Sequence, residues 1–239
     1  MRNVLAIAGR ELRAYFDAPV AYIVVVTFLA VTGWLFFSQL FLIDRASART
    51  LFAPSPFSPS LLLVVLAPAV TMRLIAEERK TGTIELLTTM PLTDAHLVLG
   101  KFLAALGLLC AALLLTVAYP LTVSFVGDLD WGPVVAGYVG LVLFSAALVA
   151  IGVFCSSLTD NQIVAFIVSF LVSATLYYVY WLQILVPVSW VPVVEYVSVS
   201  YHLDNMASGV IDSRDVLYYL SLTAGALFLA TQSVSRQHA

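Results

Sequence analysis

The chain has 239 residues, of which 62% are hydrophobic and 10% charged, and its formal net charge is −3. Soluble domains carry about 25% charged and about 45–50% apolar residues, so this composition excludes an ordinary soluble domain and indicates an all-α integral membrane protein. The two cysteines, Cys110 and Cys155, lie within or at the edge of apolar runs. We interpret them as small buried hydrophobic residues rather than as a disulfide or a metal pair.

Residues 1–18 predict an amphipathic helix that lies in the membrane interface, with its arginines towards anionic headgroups. One arc of its helical wheel is apolar and carries Val4, Leu5, Ala8, Leu12, Tyr15 and Phe16. The opposite arc is polar and carries Arg2, Asn3, Arg10, Arg13 and Asp17, while Ile7 and Glu11 fit less well. A disordered basic tail is the alternative. A cleaved signal peptide is not expected, because the apolar run after Pro19 exceeds the roughly 7–15 residues of a signal-peptide core.

Six apolar runs follow, each near the length of about 20 residues that a helix needs to cross a bilayer. They predict spans at 20–43, 60–75, 97–125, 133–155, 162–183 and 215–234. Residues 44–59 read as a polar loop. Residues 184–214 are too polar and aromatic to span, so they predict short helices on the outer surface. The candidate residues of this outer segment are Trp190, Tyr196, Tyr201 and Asp204.

The positions of lysine and arginine predict the orientation of these spans. With the N-terminus inside, eight of the 11 basic residues lie on the inner side and three, Arg45, Arg49 and Arg214, on the outer side. This imbalance favours both termini in the cytoplasm.

Residues 77–101 form the longest charged interruption of the apolar sequence. Each charge at the bilayer centre would cost roughly 2.5–3.5 kcal/mol, so this segment is expected in water, on the cytoplasmic side. It begins with the charge cluster Glu77, Glu78, Arg79 and Lys80, and Gly82 then allows a turn. A short helix-forming run follows and ends at Pro91, and Thr93 or Asp94 can cap the third span. We interpret the segment as a docking surface for a cytoplasmic partner. The alternative is a solvated loop that only connects two spans.

The sequence offers no pattern typical of a catalytic site. No span carries an ionisable side chain near its middle, which argues against an ion-coupled carrier. His96, His202 and His238 lie far apart, in predicted loops or at the terminus, without metal-ligand spacing. No phosphate-binding P-loop is present, because Gly100-Lys101 is followed by Phe102 and lacks the upstream glycine. We therefore expect no catalytic residue, no metal and no cofactor on this chain, and any ATP hydrolysis on another subunit.

Several motifs resemble those of a known family. The motif E-E-R-K-T-G-T-I-E-L-L-T-T-M-P-L-T at 77–93, followed by L-V-L-G-K-F-L, resembles the first cytoplasmic loop of type-2 ABC transporter permeases. The segment R-E-L-R-A-Y-F-D-A-P-V-A-Y at 10–22 looks like their amphipathic first helix. Further matches lie at 68–73, 150–166 and 201–215. Together these motifs are similar to the gliding-motility ABC permease GldF and its relatives.

The resemblance implies a single ABC-2-type transmembrane domain over 1–239, with six membrane helices and a cytoplasmic coupling helix between the second and third. It implies that Thr83, Ile84, Glu85, Leu86 and Leu87 contact a cytoplasmic ABC ATPase subunit that carries ATP and Mg. Glu77, Glu78, Arg79 and Lys80 would brace the loop between Gly82 and Pro91. Further implied partners are a second permease copy or paralogue in a dimer, the lipid bilayer of the bacterial inner membrane and an accessory outer-surface protein. No nucleic-acid partner is expected.

Two functions follow from this reading. The first is the permease subunit of an ATP-driven exporter. The second is a membrane anchor or scaffold of a gliding-type surface machine, with an associated ATPase but no transported cargo.

Overall fold

The computed structural model describes residues 2–43, 49–55, 58–82, 93–125 and 127–236, and every regular element within these ranges is helical. Six stretches of the described residues are long and apolar enough to cross a membrane, which confirms the predicted six-helix membrane fold. These stretches are Ala21–Leu40, Pro59–Lys80, Asp94–Ser124, Trp131–Ser157, Gln162–Ile184 and Ser213–Ser235.

An interfacial helix, Arg2–Asp17, precedes the first span, Pro19–Ile43, and a bend at Ala18 separates the two. The predicted helix is thus confirmed, and its position in the membrane interface stays a prediction. It packs along the first half of the third span, Asp94–Leu115.

The face of the interfacial helix that packs on the protein only partly coincides with its apolar arc. Ile7 is buried and Glu11 half-buried, although both fit the division into an apolar and a polar arc less well, whereas Leu5 of the apolar arc is 66% exposed. The cause lies on the third span at Gly100. A Cβ atom there would lie 2.6 Å from Cγ2 of Ile7, so glycine lets the two helices meet at this point.

The second span is interrupted. It consists of Pro59–Thr71 and Ala76–Lys80, with a turn at 72–75 between them, and so ends five residues later than the predicted end at 75. The third span is likewise divided into Asp94–Leu115 and Ala118–Ser124. Its break at 116–117 includes the residue four positions before Pro120, where a proline ring clashes with the carbonyl group of a continuous helix.

The fourth span, Trp131–Ser157, lies at the centre of the fold and contacts the second, third, fifth and sixth spans. Small residues let its neighbours approach closely, as in other membrane helix pairs. A Cβ atom at Gly152 would overlap the side chain of Thr71, and one at Gly137 would overlap the ring of Phe52.

The fifth span, Gln162–Tyr178, continues as a 3-10 helix, Val179–Ile184. The sixth span, Ser213–Ser235, packs mainly on the fourth. Apart from the end of the second span, and with the fifth span counted to Ile184, each predicted end of a span lies within three residues of the observed end.

The outer segment contains the expected short helices: Val188–Trp190 (3-10), Val191–Val197 and Val199–Ala207. The prediction of a plain polar loop at 44–59 was wrong in part, because Arg49–Phe52 forms a short helix. Leu51 and Phe52 of this helix are fully buried against the body of the protein, which explains why it stays folded despite its length.

Candidate functional site

A buried lysine joins three elements at the end of the molecule where the second span ends and the third begins. Lys101 is 1% exposed, and its Nζ atom lies 2.8 Å from Oε1 of Glu78 and 3.4 Å from Oε1 of Glu11. Glu78 belongs to the short helix after the break in the second span, and Glu11 belongs to the interfacial helix. We call these three residues the Lys101 cluster.

The chain brings the Lys101 cluster together through two local features. Gly100 lets the interfacial helix approach the third span, and this contact places Glu11 beside Lys101. After the break in the second span, the short helix Ala76–Lys80 places Glu78 within hydrogen-bond distance of Lys101. A buried ammonium group is costly unless it is paired, so the two carboxylates stabilise Lys101 in this position.

The break in the second span is filled by a side chain of the fourth span. The hydroxyl group of Ser156 accepts hydrogen bonds from the backbone N–H groups of Ile75 and Ala76, at 3.2 and 3.1 Å. It donates to the carbonyl oxygen of Met72 at 3.0 Å. The backbone groups that the turn frees from the helix therefore find a partner, which a membrane-embedded break requires.

The short helix Ala76–Lys80 has a second connection to the fourth span. The guanidinium group of Arg79 donates to the carbonyl oxygen of Ser157 at 2.8 Å. The same oxygen accepts from the hydroxyl group of Ser233, in the last turns of the sixth span, at 3.0 Å. Arg79 thus links the end of the second span to the ends of the fourth and sixth.

Both arms of the predicted coupling loop have the expected local structure. Gly82 has φ +71°, a left-handed conformation that favours glycine, so it provides the predicted turn. On the other arm Thr93 caps the third span, with its Oγ1 atom accepting from the backbone N–H of His96 at 3.4 Å. The N-cap prediction at Thr93 is therefore confirmed.

Of the remaining residues predicted for this loop, the structure describes only the charge cluster at 77–80. Glu77 and Lys80 are exposed, whereas Glu78 and Arg79 make the contacts given above. Thr83, Ile84, Glu85, Leu86, Leu87 and Pro91 lie outside the described residues. The short coupling helix therefore stays a prediction.

A cavity of about 330 Å³ lies beside the Lys101 cluster, between the interfacial helix and the second span. Tyr15 lines it and donates its hydroxyl proton to the carbonyl oxygen of Val70 at 2.8 Å. Arg73 lies over the Tyr15 ring, 4.9 Å from its centroid. Burial raises the pKa of Tyr15 well above its usual range, so the phenol stays protonated and keeps this donor.

The other candidate residues of the interfacial helix lie on its surface. Arg10 and Arg13 are exposed, as expected for side chains that face headgroups, and Arg10 pairs with Glu11 at 3.2 Å. Phe16 is 37% exposed and contacts the ring of Tyr22 edge-on. These positions fit a helix whose outer face meets the membrane surface.

The outer-segment candidates lie at the opposite end of the molecule and do not converge on one point. Trp190 and Tyr196 are 60% and 67% exposed. Tyr201 and Asp204 are half-buried, and Asp204 pairs with Arg49 of the short loop helix at 3.4 Å.

The sequence reasoning missed a buried pair at this outer end. His202 was expected in a loop, but it lies in the helix Val199–Ala207, with Nδ1 2.6 Å from Oδ1 of Asp215. Its Nε2 atom is 3.1 Å from the carbonyl oxygen of Tyr196, and its ring stacks on Tyr218 with centroids 4.0 Å apart. The apolar residues at 199, 203 and 206 have helical spacing, and this pattern could have predicted the helix that carries His202.

Within the described ranges, no group of three or more His, Cys, Asp or Glu side chains is placed to hold a metal ion. Among the described residues, Glu78, Arg79 and Lys101 instead connect the ends of the second and third spans to the interfacial helix and the fourth span.

Six helices long enough to cross a membrane, with the second, third, fifth and sixth packed on the fourth, define a multi-pass membrane protein. Residues 44–231 match the family described as ABC-2 family transporter protein, and the chain belongs to this family. A comparison with curated proteins finds no match. The protein is thus a membrane subunit of an ABC transporter, a transport component that is not itself catalytic.

Proposed function

We propose that this subunit works in an ATP-driven exporter and that residues 82–91 couple it to a cytoplasmic ABC ATPase. Two such subunits, identical or paralogous, would pair in the bacterial inner membrane, and the ATPases would bind ATP and Mg. Family membership supports the ATPase partner. The motifs similar to GldF favour a relative of the gliding-motility permeases, and gliding motility is the process proposed on that basis.

The bracing of both arms of the loop is the observation that carries this proposal. Lys101 at the start of the third span is bonded to Glu78, at the end of the second, and to Glu11 of the interfacial helix. Arg79 adds the connection to the fourth span. A force on residues 83–92 would therefore move several helices together, because buried ion pairs and packed helices transmit displacement as rigid units.

The location of basic residues supports a cytoplasmic position for this end. Arg10, Arg79 and Lys101 lie at the end that carries the loop, whereas Arg49 and Arg214 lie at the other. Loops rich in lysine and arginine stay in the cytoplasm during insertion.

The proposal is tested by purifying the tagged chain in mild detergent from its own membranes and identifying what travels with it. We expect a stoichiometric subunit with a P-loop. Glu85→Arg should abolish its recovery while the permease still inserts, because the substitution reverses the charge of the proposed contact surface. Asp160→Arg is the matched control, since Asp160 is an exposed acid in the turn between the fourth and fifth spans. Normal recovery of the ATPase with Glu85→Arg would contradict the coupling role.

A scaffold without cargo is the second candidate, and the exposed aromatic residues Trp190 and Tyr196 favour it as a contact for an accessory outer-surface protein. The two functions differ in ATPase regulation. In proteoliposomes, stimulation of the ATPase by a fraction of cellular lipids or peptides would identify an exporter. A rate unchanged by every fraction would identify the scaffold.

A further inference from the structure

A polar cavity of about 550 Å³ lies at the outer end of the sixth span, beneath the short outer helices. Its walls combine acids, a base and aromatic rings: Glu195, Asp215, Arg214, Tyr196, Tyr201 and Tyr218. Arg214 is exposed at its rim, and Glu195 is half-buried. Both signs of charge therefore face the same small space.

One oxygen in this wall lacks a partner. The side chain of Asp215 is 3% exposed, and its Oδ1 atom contacts His202 at 2.6 Å and Asn205 at 3.4 Å. Its Oδ2 atom is fully buried and, among the residues that the structure describes, has no hydrogen-bond partner. A buried carboxylate oxygen left without a donor is costly, so a ligand that brings an N–H or O–H group to Asp215 at this wall would be favoured.

An apolar groove of about 380 Å³ continues from this cavity along the same face of the sixth span. Ser221 lines both spaces, and below it Leu222, Gly225 and Leu229 form one wall. The fourth and fifth spans supply the facing walls, with Phe154 and Val172 among their residues. At 1.5 Å rise per residue, the stretch from Arg214 to Leu229 is about 22 Å long, most of the thickness of one hydrocarbon core.

We propose that the cavity and groove together form a binding site for a membrane phospholipid with a zwitterionic phosphoethanolamine headgroup. Arg214 binds the phosphate group, and Asp215 and Glu195 bind the ammonium group. One acyl chain lies in the groove of the sixth span. The site does not depend on the ATPase coupling proposed above, because a bound lipid needs no transport cycle.

The chemistry distinguishes this headgroup from other common ones. A primary ammonium group carries three N–H donors, one of which can satisfy Oδ2 of Asp215 in a charge-assisted hydrogen bond. A choline headgroup has the same charge but no N–H group, and a glycerol headgroup lacks the positive charge. Arg214 supplies a guanidinium group suited to phosphate, which all three share.

The test uses the full chain in nanodiscs that contain equal amounts of phosphatidylethanolamine, phosphatidylcholine and phosphatidylglycerol with identical acyl chains. Native mass spectrometry after mild delipidation counts the lipids that each chain retains. We expect one phosphatidylethanolamine to be retained about tenfold more often than phosphatidylcholine, the scale of one charge-assisted hydrogen bond. Equal retention of the two would overturn the headgroup assignment.

Variants separate the two halves of the site. Glu195→Gln and Asp215→Asn should reduce the preference for phosphatidylethanolamine, and Arg214→Gln should lower retention of all three lipids. Glu195 and Arg214 are accessible, so their substitution leaves the packing intact even if Asp215→Asn unfolds the protein.

Gly225→Leu tests the groove. A Cβ atom at Gly225 would meet no atom within 4 Å, so the larger side chain fills the groove without displacing a neighbour. We expect loss of the retained lipid whatever its headgroup, whereas Ala224→Leu, which adds the same kind of bulk at an exposed neighbouring position, should retain it. Unchanged retention in Gly225→Leu would overturn the proposal. The proposal would also be overturned if Gly225→Leu changed only the oligomeric state of the protein and not the retained lipid. The groove would then be the contact surface of a second copy of the chain.

Discussion

At the scale of single residues, the most consequential side chain is one that the sequence treats as ordinary. Lys101 is the last residue of the charged segment 77–101 and lies four residues inside the predicted third span, and the sequence predicts no ion-pair partner for it. Its burial depends on Glu11 and Glu78, which are 90 and 23 positions away in the chain. No local pattern reports contacts at such distances, so the Lys101 cluster becomes visible only when the helices are placed together.

Loss of the ammonium group should destabilise the fold. Lys101→Met leaves two half-buried carboxylates facing each other without a counter-charge, and removal of one partner of a buried pair costs about 3–5 kcal/mol. The side chains of Glu78 and Glu11 are each 18% exposed, so water screens part of the unpaired charge. We therefore expect the unfolding free energy to fall by about 3 kcal/mol, the lower end of this range, measured by reversible unfolding in mixed micelles.

The matched control for this substitution is Lys80→Met. Lys80 is exposed in the same charged segment, so its loss should change the unfolding free energy by less than about 0.5 kcal/mol. Equal effects of the two substitutions would mean that Lys101 contributes no more than a surface charge. Partial recovery in the double variant Lys101→Met/Glu78→Gln would identify the pair as the origin of the loss.

At the scale of elements, hydrophobic length and periodicity predicted most of the architecture. All six spans, the interfacial helix and the short outer helices are present at or near the predicted positions. The break at 72–75 was not predicted, because its backbone groups are satisfied by Ser156 of another span. The packed face of the interfacial helix was not predicted for a similar reason, since it depends on Gly100 of the third span.

The interrupted second span should depend on the hydroxyl group that fills its break. Ser156→Ala removes one donor and one acceptor that serve Met72, Ile75 and Ala76. Leaving such buried backbone groups unpaired costs about 1–3 kcal/mol, so we expect a loss of this size in the same unfolding assay. Amide hydrogen exchange at Ile75 and Ala76 should accelerate as well.

Ser145→Ala is the control on the same helix. The Ser145 hydroxyl is buried but, within the described part of the chain, has no hydrogen-bond partner, so its removal should leave stability unchanged or slightly higher. If both alanine variants behave alike, the hydroxyl of Ser156 does not hold the break.

At the scale of the whole molecule, the two ends have different chemistry. One end carries the Lys101 cluster, Arg79 and the arms of the charged segment, whereas the other carries the polar cavity of the proposed lipid site. The central fourth span contacts four other spans and connects these ends. Packed helices therefore lie between the two ends of the molecule.

The orientation of the molecule decides which end meets the ATPase, and it yields the last prediction. After replacement of Cys110 and Cys155 by alanine, single cysteines are introduced by Asp160→Cys and Ser208→Cys, both at exposed positions in turns at opposite ends. A membrane-impermeant maleimide should label Ser208→Cys in intact spheroplasts and Asp160→Cys only after lysis, because segments rich in lysine and arginine tend to stay in the cytoplasm. The reverse pattern would place the charged segment outside and remove it from any cytoplasmic ATPase. Labelling of both single-cysteine variants in intact spheroplasts would show that the chain inserts in both orientations.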